Sequence, residues 1–111
     1  MILFRPEHVE PILAGTKTQT RRCWKRPRCK VGSIHLAKTE MLSKDYFAKL
    51  KILGLAVERL GDISDDDARS EGYPSVFVYL KAFQEINKIP DEEFFGMLNT
   101  IVYVVYFEVV A

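Results

Sequence analysis

Ile12-Leu13-Ala14-Gly15-Thr16-Lys17-Thr18-Gln19-Thr20-Arg21-Arg22 carries two signals at once. Its apolar start runs into Gly15, the residue type that most readily takes the left-handed conformation after a helix. Upstream, Pro6 and Pro11 punctuate the chain, so a short helix is expected over His8 to Ala14, with Pro11 tolerated in its first turn. Downstream the chain becomes cationic: Lys17, Arg21, Arg22, Lys25, Arg26, Arg28 and Lys30 follow one another with no acidic residue between them. Charges of one sign packed this densely repel, so either carboxylates from elsewhere fold over them or a polyanion neutralises them. Trp24 lies inside the run, and an indole beside guanidinium groups is a platform on which an unpaired base stacks for ~1–3 kcal/mol.

The rest of the chain supplies the carboxylates. Residues 1–60 hold 13 Lys/Arg against 5 Asp/Glu, and residues 61–111 hold 3 against 10, although the formal net charge of the 111 residues is only +1. With 48% apolar and 28% charged side chains the composition is that of an ordinary globular domain, expected to span residues 1–111. A chain of this length buries roughly two thirds of its unfolded surface and needs no metal or disulfide staple. Neither a metal nor another cofactor is expected: Cys23 and Cys29 lack paired zinc-ligand spacing and read as free thiols or an opportunistic disulfide. The longest nearly apolar run, Ile101 to Val110, falls short of the ~20 residues of a membrane span. Ile2 to Phe4 is too short an apolar region for a secretory signal, so a cytoplasmic location is expected.

Short elements of both kinds are expected. Ile2 to Arg5 reads as a strand, residues 16–31 as irregular or extended, and Ile34 to Lys38 as a strand burying Ile34 and Leu36. Lys51 to Leu60 is a further strand with an unclear register at Gly54. Ser64 followed by Asp65, Asp66 and Asp67 is a capped, acidic helix start, and that helix stops near Gly72. Pro74 and Ser75 open a second helix with Val76, Leu80, Phe83 and Asn87 on one face, and Tyr73, Phe77, Tyr79 and Phe83 read as packing residues. A helical turn from Pro90 is ended by Gly96, and Ile101 to Val110 is a strand buried on both faces, with Tyr103 or Tyr106 lining a cleft. The sum is an α+β domain around a mixed sheet or barrel.

The quoted stretch resembles the ASCH domain family, a branch of the PUA-like fold, whose signature is a helix ending in Gly-x-Lys followed by a Thr and an Arg at these spacings. Lys30-Val31-Gly32 before a strand, Ser64 to Tyr73 with its Glu-Gly-aromatic ending, and the closing strand around Val105 to Glu108 match further motifs in order. The resemblance covers essentially the whole chain and suggests a small single-domain member. It implies a small mixed β-barrel with short helices outside and a cleft beside the Gly-x-Lys loop. It also implies contact with RNA or a modified nucleoside, and in some small members an amidohydrolase activity that deacetylates N4-acetylcytidine. Carried over by motif, the catalytic residues fall on Lys17, Thr20 and Glu71, and Arg22 becomes a phosphate or carbonyl ligand.

Amide cleavage needs a nucleophile, a base and a donor for the developing oxyanion. The Thr20 hydroxyl is a nucleophile only if its proton is removed. A neutral Lys17 amine does this if desolvation and Arg21 and Arg22 depress its pKa, while Glu71 pulls the other way. The extension from Cys23 to Arg28, with Lys25, Arg26, Arg28 and Lys30 across it, suits phosphates better than a free nucleoside, which puts RNA recognition first. In that reading Lys17, Arg21, Arg22, Lys25, Arg26, Arg28 and Lys30 form a basic cleft with Trp24 as stacking residue, and binding weakens with salt. Nucleoside deacetylation stands second and ribonuclease chemistry third, since His8 and His35 form no evident acid–base pair.

Overall fold

A computed structural model describes residues 1–111. Five strands form one mixed sheet in the order β1-β3-β4-β5-β2. They are β1 (Ile2–Leu3), β2 (Gln19–Arg22), β3 (Ile34–Lys38), β4 (Ala48–Arg59) and β5 (Ile101–Val110). β1 and β3 run parallel, and every other pairing is antiparallel. The helices are α1 (Val9–Leu13), α2 (Asp65–Ser70), α3 (Val76–Ile86) and α4 (Phe94–Met97), with short 3-10 turns at Pro6–His8, Leu60–Asp62 and Asp91–Glu93. The sheet curls into a half-barrel with the helices packed against it, the α+β architecture expected from the sequence.

Two apolar clusters hold this shape. Ile2, Phe4, Ile12, Leu50, Ile52, Val105 and Phe107 belong to the first. Leu60, Ala68, Tyr79, Leu80, Phe83, Met97 and Val102 belong to the second, which joins the helices to the start of β5. β5 serves both clusters because its side chains alternate sides, Val102 entering one and Val105 and Phe107 the other. The uncertainty at Gly54 is a β-bulge: Ile52 pairs with Phe107 and Gly54 with Tyr106, leaving Leu53 as the extra residue. A Cβ at Gly54 would sit 3.1 Å from the Tyr106 ring, so a larger residue there would require that ring to shift by a few tenths of an ångström.

The local signals of the second half hold. Ser64 Oγ accepts from the Asp67 N–H at 3.1 Å, and Ser75 caps α3 in the same way at 3.3 Å. Other expectations need correction. β3 buries Ala37 and leaves Ile34 58% exposed, because Ala37 pairs with buried Ala48 while His35 faces Leu50 across the sheet. Phe77 is exposed on α3, and the buried face runs through Tyr79, Leu80, Phe83 and Gln84. Gly96 lies within α4 and does not end it. Residues 19–22, inside the stretch read as irregular or extended, take the extended form and pair as an edge strand with β5, in keeping with that reading. No helix is long and apolar enough to cross a membrane.

Candidate active site

β2 is one open edge of the curled sheet and β1 the other. Along β2 the side chains alternate, so Gln19 and Arg21 share one face while Thr20 and Arg22 share the opposite one. The first face meets α2 and the second meets the β1 edge. Arg22 spans the seam: its Nη2 donates to the Leu3 carbonyl at 2.6 Å, its Nε to Thr20 Oγ1 at 3.0 Å, and its guanidinium lies 5.0 Å from the centre of the Phe4 ring.

Beneath the seam lies a buried ionic cluster. Lys17, carried just past the left-handed Gly15 (φ +77°), is 2% exposed and donates from Nζ to the Glu71 carbonyl at 2.6 Å and to Glu71 Oε1 at 3.1 Å. Arg21 Nη1 donates to Glu71 Oε2 at 2.9 Å and to Gln19 Oε1 at 2.9 Å. Its Nη2 reaches Glu58 Oε1 at 3.2 Å and Asp67 Oδ2 at 3.4 Å, and Gln19 Nε2 donates to Asp67 Oδ1 at 3.1 Å. Glu71 is thus clamped between two cations, while Glu58 and Asp67 sit nearer solvent at the rim. No buried side-chain polar atom lacks a partner.

Burial depresses the Lys17 amine below its usual range, and Arg22 and Arg21 add to the effect, while the Glu71 charge and hydrogen bond oppose it. For Arg21, burial acts downward, but Glu71 and Glu58 outweigh it and hold the guanidinium above its ordinary value. Burial lowers Arg22, with Glu71 acting against the shift. The opposing pulls of Glu71 and of burial with Arg21 and Arg22 on Lys17 are therefore present.

A cavity of about 320 Å³ opens above this cluster, at the small end of the ~300–1,000 Å³ range of ligand pockets. Thr20, Arg21, Arg22 and Glu71 form its polar side, and Tyr73 and Tyr79 belong to its aromatic side. His8 also borders it, with Nε2 3.0 Å from the Tyr73 hydroxyl. Burial, followed by the nearby Lys17 charge, takes the His8 pKa down to about 4, so the ring is neutral near pH 7.

The residues singled out in the sequence therefore separate into two groups. Lys17 bonds Glu71, and Glu71, Thr20, Arg21 and Arg22 line the one cavity, while Lys17 lies outside its lining. Lys17 and Arg21 are not part of an open cationic face, since Glu71 and Asp67 of the C-terminal half, with Glu58, neutralise them internally. Lys25, Arg26, Arg28 and Lys30 are exposed, and the ion pairs of the structure involve other residues. Trp24 is half-buried against the first apolar cluster, 6.2 Å from the Tyr103 ring. Neither Tyr103 nor Tyr106 lines the cavity, whose aromatic wall comes from residues such as Tyr73 and Tyr79 that the sequence offered only as packing residues. Cys23 borders the cavity, Cys29 is buried in the first cluster, and His35 bonds Ser33, so the three do not converge. Burial raises the Cys23 thiol and keeps it protonated.

No family model and no curated protein matches the sequence. Among solved structures, the chain is similar to an ASCH domain from Lactobacillus crispatus JV V101, with a TM-score of 0.71 and 18% identity over 91% of this chain and 69% of that one. It is also similar to protein EF3133 from Enterococcus faecalis V583, described as DUF984, with a TM-score of 0.70 and 14% identity over 94% of this chain and 67% of that one. The hypothetical protein PH0355 follows, with a TM-score of 0.65 and 21% identity over 96% and 94% of the two chains. At these identities the likeness is one of fold: the chain has the α+β, PUA-like architecture of the ASCH domain.

Proposed function

We propose that this protein binds a pyrimidine nucleoside in the aromatic-walled cavity and hydrolyses an exocyclic amide such as that of N4-acetylcytidine. The observation that carries this reading is the position of the Lys17–Glu71–Arg21 cluster at one end of a cavity that also exposes Thr20. A buried ion pair is a poor way to stabilise a core, since well-packed apolar residues of similar volume often do as well or better. Placed at a ligand cavity, the same charges supply a proton acceptor and a cationic environment for an oxyanion.

In this mechanism Thr20 Oγ1 attacks the acetyl carbonyl carbon, and its proton passes to the Lys17–Glu71 pair. The negative charge that develops on the carbonyl oxygen is stabilised by the Arg22 guanidinium, which already bonds Oγ1 at 3.0 Å. Collapse breaks the C–N bond, and the exocyclic nitrogen leaves with the returned proton. Water then releases acetate from Thr20 and restores the hydroxyl. Incubation with N4-acetylcytidine should yield cytidine and acetate in equal amounts, and Thr20→Ala should abolish both. Absence of cytidine across a broad pH range would refute the reaction.

A second reading, RNA recognition without chemistry, is favoured by the exposed Lys25, Arg26, Arg28 and Lys30 on the segment that leaves β2. Its signature is oligonucleotide binding that weakens steeply with salt while N4-acetylcytidine stays intact. Ribonuclease action has no such support: His8 bonds Tyr73 and His35 bonds Ser33, on separate elements.

A further inference from the structure

The seam between β1 and β2 opens on a second hollow. Its volume is about 160 Å³, and Met1, Leu3, Arg22, Trp24, Arg28 and Met41 are among the residues lining it. Leu3 and Arg22 line both this hollow and the larger cavity, and Arg22 Nη2 donates to the Leu3 carbonyl at 2.6 Å where the two adjoin. The hollow combines an apolar lining, a half-buried indole and two guanidinium groups. The Arg28 guanidinium carbon lies 6.0 Å from the centre of the Trp24 ring.

These groups select a particular chemistry. A flat heteroaromatic ring stacks on an indole or a guanidinium plane, and apolar walls exclude water from its faces. Arg22, standing between the two hollows, supplies positive charge where two adjacent nucleotides would be joined by phosphate. Arg28 belongs to the exposed basic segment with Lys25, Arg26 and Lys30, which extends the positive surface beyond the hollow.

We infer that the Trp24–Arg28 hollow is a subsite for the neighbouring nucleotide of a single strand whose other base occupies the larger cavity, with Arg22 facing the phosphate between them. The inference rests on the larger cavity taking a nucleobase and makes the preferred ligand a strand of at least two nucleotides.

Trp24 is the only tryptophan of the chain, so its fluorescence reports on this hollow directly. The intact protein is titrated with the dinucleotide cytidylyl-(3′→5′)-cytidine and, separately, with cytidine. The dinucleotide should quench the emission saturably and cytidine should not. Exposed Arg28 can be replaced with little risk to the fold, and Arg28→Ala should weaken the dinucleotide effect by about tenfold, the loss expected of a stacking or phosphate contact. Equal responses to the two probes, or no saturable quenching by the dinucleotide, would overturn the subsite. Cleavage of N4-acetylcytidine without dinucleotide quenching removes the subsite alone. Saturable, Arg28-dependent quenching without cleavage supports the subsite and removes the chemistry proposed above.

Discussion

The hydroxyl of Thr20 accepts a hydrogen bond from Arg22 Nε at 3.0 Å, so the proposed nucleophile is held by the same side chain that ties β2 to β1. A donor at this oxygen favours its alkoxide form. Thr20→Ala should reduce N4-acetylcytidine turnover by about a thousandfold or more, the scale seen when a nucleophile is removed. Thr20→Ser, which keeps the hydroxyl, should retain measurable activity. Product formation followed by chromatography distinguishes the two variants, and full activity in Thr20→Ala would assign attack to water instead.

Lys17 tests the buried cluster. Truncating one member of a buried ion pair leaves the other uncompensated, and Lys17→Ala should lower unfolding free energy by about 3–5 kcal/mol in denaturant titrations. Lys17→Met combined with Glu71→Gln removes the charge of both partners and should recover part of that loss. A double variant no more stable than the sum of the single effects would show that the two groups are not coupled.

Gly72 carries Glu71 into the site with φ +98°, a conformation unfavourable for residues with a Cβ. The added Cβ of Gly72→Ala would find Lys17 Cδ at 3.7 Å, an ordinary contact, so backbone strain and not a clash sets the cost. A loss of ~1–2 kcal/mol is expected from thermal or chemical unfolding. Gly72→Asn should cost less, because asparagine tolerates the left-handed region better.

His8 makes stability depend on pH. Its folded pKa is about 4 against 6.5 in the ordinary state. Between those values the unfolded chain binds more protons than the folded one, so stability falls as pH drops from 6.5 toward 4 and is restored on returning above 6.5. The urea midpoint should follow this curve, and His8→Gln should flatten it. An unchanged slope in that variant would assign the dependence to other groups.

The legible parts of the fold were those set by neighbours in the chain. Gly15 ends α1, Ser64 and Ser75 cap α2 and α3, and the acid-free run from Lys17 to Lys30 stood out without coordinates. The ordered motifs also named Lys17, Thr20 and Glu71 together; in the structure Lys17 bonds Glu71, and Glu71 and Thr20 line one cavity. The inward face of β3 was misread because alternation of Ile34 and Leu36 says nothing about which face meets the core, and pairing of Ala37 with Ala48 decides it. Phe77 was misread for the same reason, since the apolar surface of α3 is wider than the part its neighbours cover.

By itself, the sequence determined element types, helix ends and the existence of a cationic segment, because backbone preferences and like-charge spacing act over a few residues. Only the tertiary structure divided that segment. Strand alternation turns Arg21 inward toward Glu58, Asp67 and Glu71, the seam holds Arg22 between two hollows, and Lys25, Arg26, Arg28 and Lys30 remain exposed. The physical reason is that charge neutralisation depends on distances of a few ångströms between groups dozens of residues apart, and those distances exist only once the sheet has curled.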